Sequence, residues 1–107
     1  MIKKELVNHP EHYNIYGRKE CWDEFIDKFG PKHTFVWCLM TAQKYLYRKG
    51  LKDDNPEEQD VHKAIAYFDK ATLIREDYEE VKGYANSLYN KTYRDLKNSI
   101  KIVKRIG

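Results

Sequence analysis

Lys32-His33-Thr34-Phe35-Val36-Trp37-Cys38-Leu39-Met40-Thr41-Ala42-Gln43-Lys44-Tyr45-Leu46-Tyr47-Arg48-Lys49 is the stretch that decides the fold. Phe35, Cys38, Leu39, Ala42, Tyr45 and Leu46 recur at spacings of three and four, the period of one face of an α-helix. Val36, Trp37 and Met40 widen that face almost all the way round in the first half. A helix apolar on most sides belongs at the centre of its domain. Gly50 ends it, and Lys49 suits the negative end of the helix dipole.

The pattern continues on both sides. Upstream, Trp22, Phe25, Ile26 and Phe29 fall at i, i+3, i+4 and i+7, which predicts a short amphipathic helix over Cys21–Phe29. Gly30-Pro31 stops it, with glycine as a left-handed cap and proline unable to continue. Residues Met1–Lys19 show no period, and Pro10 biases His9 away from helix, so this segment reads as an irregular arm with a turn near Gly17. Downstream, Asn55 is a good N-cap, Pro56 suits the first helical position and Glu58 completes a capping box. Val61, Ala64, Ile65, Phe68, Ala71 and Thr72 mark the buried face of a helix that extends to about Val81, where Gly83 weakens it. From Tyr84 to Ile106, the positions Ala85, Tyr89, Thr92, Leu96, Ser99, Val103 and Ile106 make a heptad-like seam, poor because two of its members are Thr and Ser.

That seam fits two readings: an ordinary helix packed on its own domain, or an inter-subunit helix. A narrow seam with a basic outer face is awkward for a small monomer, and homo-oligomerisation through the C-terminal helix is the expectation. The predicted fold is all-α: a compact bundle of three to four helices with an irregular N-terminal arm and a long C-terminal helix. Residues 1–80 form the core with its arm, and 81–107 form the oligomerisation element.

A chain of 107 residues has room for one domain. Nine Tyr, four Phe and two Trp supply enough apolar material for a core, despite 35% charged residues. The longest apolar run, Phe35–Met40, is far short of the roughly 20 residues of a membrane span. No apolar N-terminal stretch resembles a signal peptide, so a cytoplasmic location is expected. The two cysteines, Cys21 and Cys38, lie in apolar helical patterns without a CxxC and read as buried free thiols.

The net charge of +3 is too modest to imply nucleic-acid binding from bulk charge, and nucleic acid is not an expected partner. The distribution is more telling. Lys28–Lys52 holds six bases and no acid, Asp53–Asp60 five acids and no base, and Asn86–Gly107 six bases with Asp95 the one acid. Lys44 and Arg48 lie one turn apart on the second helix, with Lys52 just beyond it; Asp60, Lys63, Tyr67 and Lys70 form a stripe on the third. A short connection makes these helices antiparallel neighbours, so Lys44, Arg48, Lys52, Asp60, Lys63 and Tyr67 can converge. Clustered bases call for an anion, and phosphate suits both the fork of Arg and the point charge of Lys. Asp60 can hold a lysine, bind Mg²⁺ or accept a proton, and Tyr67, Tyr13 or His12 can stack on a base. His9, His12, His33 and His62 show no metal-ligand spacing, and no glycine-rich phosphate loop of either standard kind is present.

Asn8-His9-Pro10-Glu11-His12-Tyr13, Gly17, Glu20, Lys44-Tyr45-Leu46-Tyr47-Arg48-Lys49-Gly50-Leu51-Lys52 and Asp60-Val61-His62-Lys63-Ala64-Ile65-Ala66-Tyr67-Phe68 occur in this order. The set resembles a family of small, mostly phage-encoded nucleotide kinases with the patterns P-x-H-Y, K-Y-x-x-R-x-G-x-K and D-L-x-K-A-x-x-Y-L. The likeness covers about residues 7–75. Met40-Thr41 stand where the family often has Gly-Asn, and Val61 and Phe68 stand for Leu. The resemblance implies nucleotide binding, with phosphoryl transfer to a nucleoside monophosphate, in the cytoplasm of an infected host cell. On that reading Arg48, Asp60 and Lys63 are the catalytic candidates; His12, Tyr13, Glu20, Lys44, Arg48, Lys52, Lys63 and Tyr67 bind the ligand; and Mg²⁺ assists through Asp60 or Glu20. Two alternatives stand beside it: non-catalytic sequestration of a nucleotide second messenger used in host defence, and a protein- or DNA-binding module carried by the basic C-terminal helix.

Overall fold

The computed structural model describes residues 21–49, 51 and 57–106, with side chains described through Lys101. The predicted arm, the caps at Asn55 and Pro56, and the candidate residues His12, Tyr13, Glu20 and Lys52 lie outside the described residues. Within them are four α-helices and no strand: α1 Cys21–Phe29, α2 Pro31–Arg48, α3 Glu57–Asp77 and α4 Asn86–Ile106. The fold is an all-α bundle, as the periodicities predict. No helix among the described residues is long and apolar enough to cross a membrane.

Gly30 alone joins α1 to α2. Its φ of 92° is the left-handed conformation that glycine adopts without a Cβ penalty. Its N–H donates to Ile26 O at 2.9 Å, closing α1, while its own carbonyl accepts from the N–H of Thr34 at 3.3 Å and from Thr34 Oγ1 at 2.9 Å, opening α2. Pro31 therefore starts α2 rather than merely ending α1, the position where its missing N–H costs nothing.

The core forms where α2 meets α3. Phe35, Cys38, Leu39, Ala42 and Leu46 of α2 pack with Ala64, Phe68, Ala71 and Ile74 of α3, all of them buried. These are the predicted stripes. Met40, expected to widen the buried face, is instead 60% exposed, and Tyr47 points outward as well. The third helix ends at Asp77, earlier than expected, and a single 3-10 turn over Glu79–Val81 follows. That turn drops the fully buried Val81 into the core before Gly83, at φ 81°, and Ala85, at φ 53°, redirect the chain into α4.

The seam of α4 is turned on its own domain. Thr92, Leu96 and Ser99 are buried, and α4 touches both α2 and α3. Its two poor members have partners on α2 or beside it: Gln43 Nε2 donates to Thr92 Oγ1 and to Asp95 Oδ2, each at 3.1 Å, and Lys49 Nζ donates to Ser99 Oγ at 2.8 Å. Tyr89 sits between Phe35 and Phe68, with ring centroids 6.0 and 4.8 Å away, and its hydroxyl bonds Thr72 Oγ1 at 2.9 Å. Through Ser99 the seam on which self-association was expected is thus occupied within the chain; Val103 and Ile106 lie beyond the described side chains.

Cys38 is buried as expected, but Cys21, the first residue of α1, is exposed. Burial pushes the Cys38 thiol up to about 12, against the weaker opposite pull of the Lys70 ammonium. Desolvation also raises Cys21 above the ordinary thiol value. Because the thiolate is the reactive form, iodoacetamide at pH 8 should label one cysteine of the native protein, Cys21, and should do so slowly. Both should react after denaturation. Equal native labelling of Cys38, read by mass spectrometry, would contradict this packing.

Candidate functional site

Helices α2 and α3 run side by side, so the end of one lies against the start of the other. That juxtaposition gathers five of the predicted site residues, Lys44, Arg48, Asp60, Lys63 and Tyr67, around Tyr45. From α2, Lys44 Nζ and Arg48 Cζ each lie 4.8 Å from the centroid of the Tyr45 ring. From α3, Lys63 Nζ lies 5.5 Å from the same centroid. Three cations on one phenol ring are attracted by its electron-rich face. Beneath them Arg48 Nη2 donates to Asp60 Oδ1 at 2.9 Å, and the Asp60 side chain has no exposure while that of Arg48 retains 27%.

Among the described residues the cluster holds three positive groups and one carboxylate. Its formal balance is therefore +2. Repulsion between the lysines is tolerable at a surface but falls sharply when an anion enters. Lys44 is exposed and Lys63 half-buried, so both ammonium groups sit where a ligand can reach them. Arg48 Nε is buried and donates no hydrogen bond among the described residues, so the guanidinium is not saturated.

Among its expected roles, Asp60 is described in the one of holding a basic side chain, here that of Arg48. A Mg²⁺ ligand or a general base needs an oxygen that substrate or metal can approach. This carboxylate is fully buried beside Arg48, where it aims the guanidinium across Tyr45. Among the described residues no three His, Cys, Asp or Glu side chains form a metal-ligand group.

Tyr67 is also committed. Its ring stacks on Tyr45 at 5.8 Å and 21°, and it takes Trp37 at 5.5 Å and Trp22 at 5.9 Å edge-on. A ring with three aromatic neighbours supports Tyr45 and leaves little face for a base. Lys70, the last member of the α3 stripe, is 1% exposed. Its ammonium lies 3.8 Å from Asp23 Oδ1 and 5.3 Å from the Trp22 centroid, so it ties α1 to α3 rather than joining the cluster.

Tyr45 is the residue that pattern reading assigns to the core. The signal for it was present in Lys44-Tyr45-x-x-Arg48, where two bases flank one aromatic at i−1 and i+3 on a helix. Trp22 and Trp37 complete the aromatic floor, and neither stands apart from an ordinary buried stripe in the sequence.

A family model described as "Protein of unknown function (DUF3310)" matches residues 7–69, more than half of the chain. The match spans Lys44, Tyr45, Arg48, Asp60, Lys63 and Tyr67 and leaves α4 outside. No curated protein and no solved structure matches.

Proposed function

We propose that this chain, which belongs to the DUF3310 family, binds a phosphate-bearing ligand, a nucleotide, at the cluster around Tyr45. The observation that carries the reading is the convergence of Lys44, Arg48 and Lys63 on one ring, with Asp60 the one carboxylate beside them among the described residues. Lys44 and Lys63 supply movable point charges, and Arg48 supplies a fork whose direction Asp60 fixes. The resemblance to phage-encoded nucleotide kinases narrows the anion to a nucleotide and adds His12, Tyr13, Glu20 and Lys52 to the ligand's surroundings.

Titration of the protein with a panel of nucleoside monophosphates tests this by calorimetry. Lys44→Ala and Lys63→Ala are each expected to weaken binding by about 1.5–3 kcal/mol, the range for a hydrogen bond to a charged group. Neither side chain is buried, so both variants keep the fold. Affinity that survives in the double variant would remove the site.

Phosphoryl transfer is the second reading, favoured by the order of the Lys-Tyr-x-x-Arg and Asp-x-x-Lys motifs. It asks the same three cations to stabilise charge spread over the transferring group. Mg²⁺ enters that reading as the companion of the donor's phosphates. Formation of nucleoside diphosphate from ATP and a bound monophosphate separates it from sequestration: retention of ligand without product leaves binding alone.

A further inference from the structure

The outer face of α4 has no part in the cluster around Tyr45 and lies beyond the residues matched by the family. Its exposed positions include Lys91, Tyr93, Arg94, Lys97 and Lys101. The bases recur at spacings of three and four, which places them along one side of the helix. The one acid of the helix, Asp95, is half-buried and accepts a hydrogen bond from Gln43 Nε2 at 3.1 Å. Its charge is therefore turned inward, and the solvent face is basic without interruption from Lys91 to Lys101, about 15 Å at the α-helical rise.

The net charge of the chain, +3, says little about such a face, because acids elsewhere cancel it in the total. What matters is the local field. A row of like charges with no acid among them suits a polyanion of regular spacing. Duplex nucleic acid offers one negative charge per ~1.7 Å of axis, so a 15 Å face meets several phosphates at once.

The alternatives fit less well. A basic amphipathic helix holds a bilayer by sinking its apolar side into it. Here that side, with Thr92, Leu96 and Ser99, is already buried in the bundle. Single-stranded nucleic acid asks for successive aromatic platforms. This face carries Tyr93 alone, with its ring stacked at 5.8 Å on Phe68 and with Lys97 Nζ 5.3 Å from its centroid.

We propose that the outer face of α4 binds the phosphodiester backbone of duplex nucleic acid without reading its sequence, through Lys91, Arg94, Lys97 and Lys101. Four phosphate contacts give a slope of about −3.6 in log affinity against log salt. Affinity should then fall about 150-fold between 50 and 200 mM salt.

Fluorescence anisotropy of the full chain on labelled 25-base-pair DNA and RNA duplexes tests this, with the same strands unpaired and anionic lipid vesicles as further arms. Arg94→Ala/Lys97→Ala is expected to bind about 60-fold more weakly at 0.1 M salt and to bring the slope to about −1.8. Both positions are exposed, and an unchanged circular dichroism spectrum shows that the fold is kept. Binding to either duplex with that change in slope supports the proposal, and the duplex preferred identifies the source. An unchanged slope in the variant overturns it, as does preference for single strands or for vesicles. Competition by nucleoside monophosphate would also overturn it, because the two sites are then one; this arm keeps its failure distinct from failure of the Tyr45 site.

Discussion

Arg48→Met is expected to cost about 3–5 kcal/mol of folding stability, the usual penalty for stripping one partner from a buried ion pair. The asymmetry of the pair decides the size. Arg48 keeps part of its side chain in solvent, whereas Asp60 keeps none. Removing the arginine therefore takes its hydrogen bond from a carboxylate buried inside the bundle, while removing the aspartate leaves a guanidinium that can turn outward. Asp60→Leu should accordingly cost less than Arg48→Met. The double variant should recover most of the loss, since an apolar pair of similar volume often replaces a buried ion pair at little cost. Urea denaturation of the four proteins closes the cycle, and a loss below about 1 kcal/mol in Arg48→Met would show the pair to be a surface contact. Arg48→Ala is for the same reason a poor probe of ligand affinity, because it disturbs the fold and the site together. Arg48→Lys, with Lys44→Ala and Lys63→Ala beside it, separates the two.

Phe35→Ala is expected to lose a similar amount, about 3–5 kcal/mol, by a different route. Phe35 is fully buried on α2, and its ring lies 6.0 Å from that of Tyr89 on α4 at 17°. Truncation removes apolar contact and opens a cavity at the point where α2, α3 and α4 meet, and the rigid aromatic neighbours cannot collapse into it. Tyr89→Phe removes only the hydroxyl bond to Thr72 and should cost about 1 kcal/mol. Thermal unfolding with one transition for both variants would show α4 to be integral to the core. A loss near that of Tyr89→Phe in Phe35→Ala would mean that α4 contributes little there.

Much of this architecture can be read from period alone, since α1 and the buried faces of α2 and α3 rest on apolar residues three and four apart. What escapes such reading depends on partners far away in sequence. The α4 seam is ambiguous because Thr92 and Ser99 look like defects until Gln43 and Lys49 are seen opposite them. Gly30-Pro31 carries the signals for both an end and a beginning, and only the backbone shows that both operate at one residue. The basic stripes of α2 and α3 locate the cluster, yet Tyr45 fits the apolar pattern so well that its second role is hidden. Lys70 misleads in the opposite sense: its place in a polar stripe conceals an ammonium buried against Trp22 and Asp23.

The lining of α4 is uneven along its length, and this has a consequence for motion. Its first half is held by Tyr89 and Tyr93 against Phe35 and Phe68 and by the buried Leu96. Beyond Leu96 the described attachment narrows to Ser99 with Lys49 and a half-buried Ile100. Opening free energy tracks buried apolar contact, so among the described side chains it declines from Tyr89 to Ile100. A cooperative unit boundary then falls inside a single helix rather than in a loop. The described stretch beyond Leu96, which carries Lys97 and Lys101, can loosen while the aromatic half stays in place. The basic face is thereby jointed: part of it is fixed to the bundle, and part can adjust to the curvature of whatever it meets.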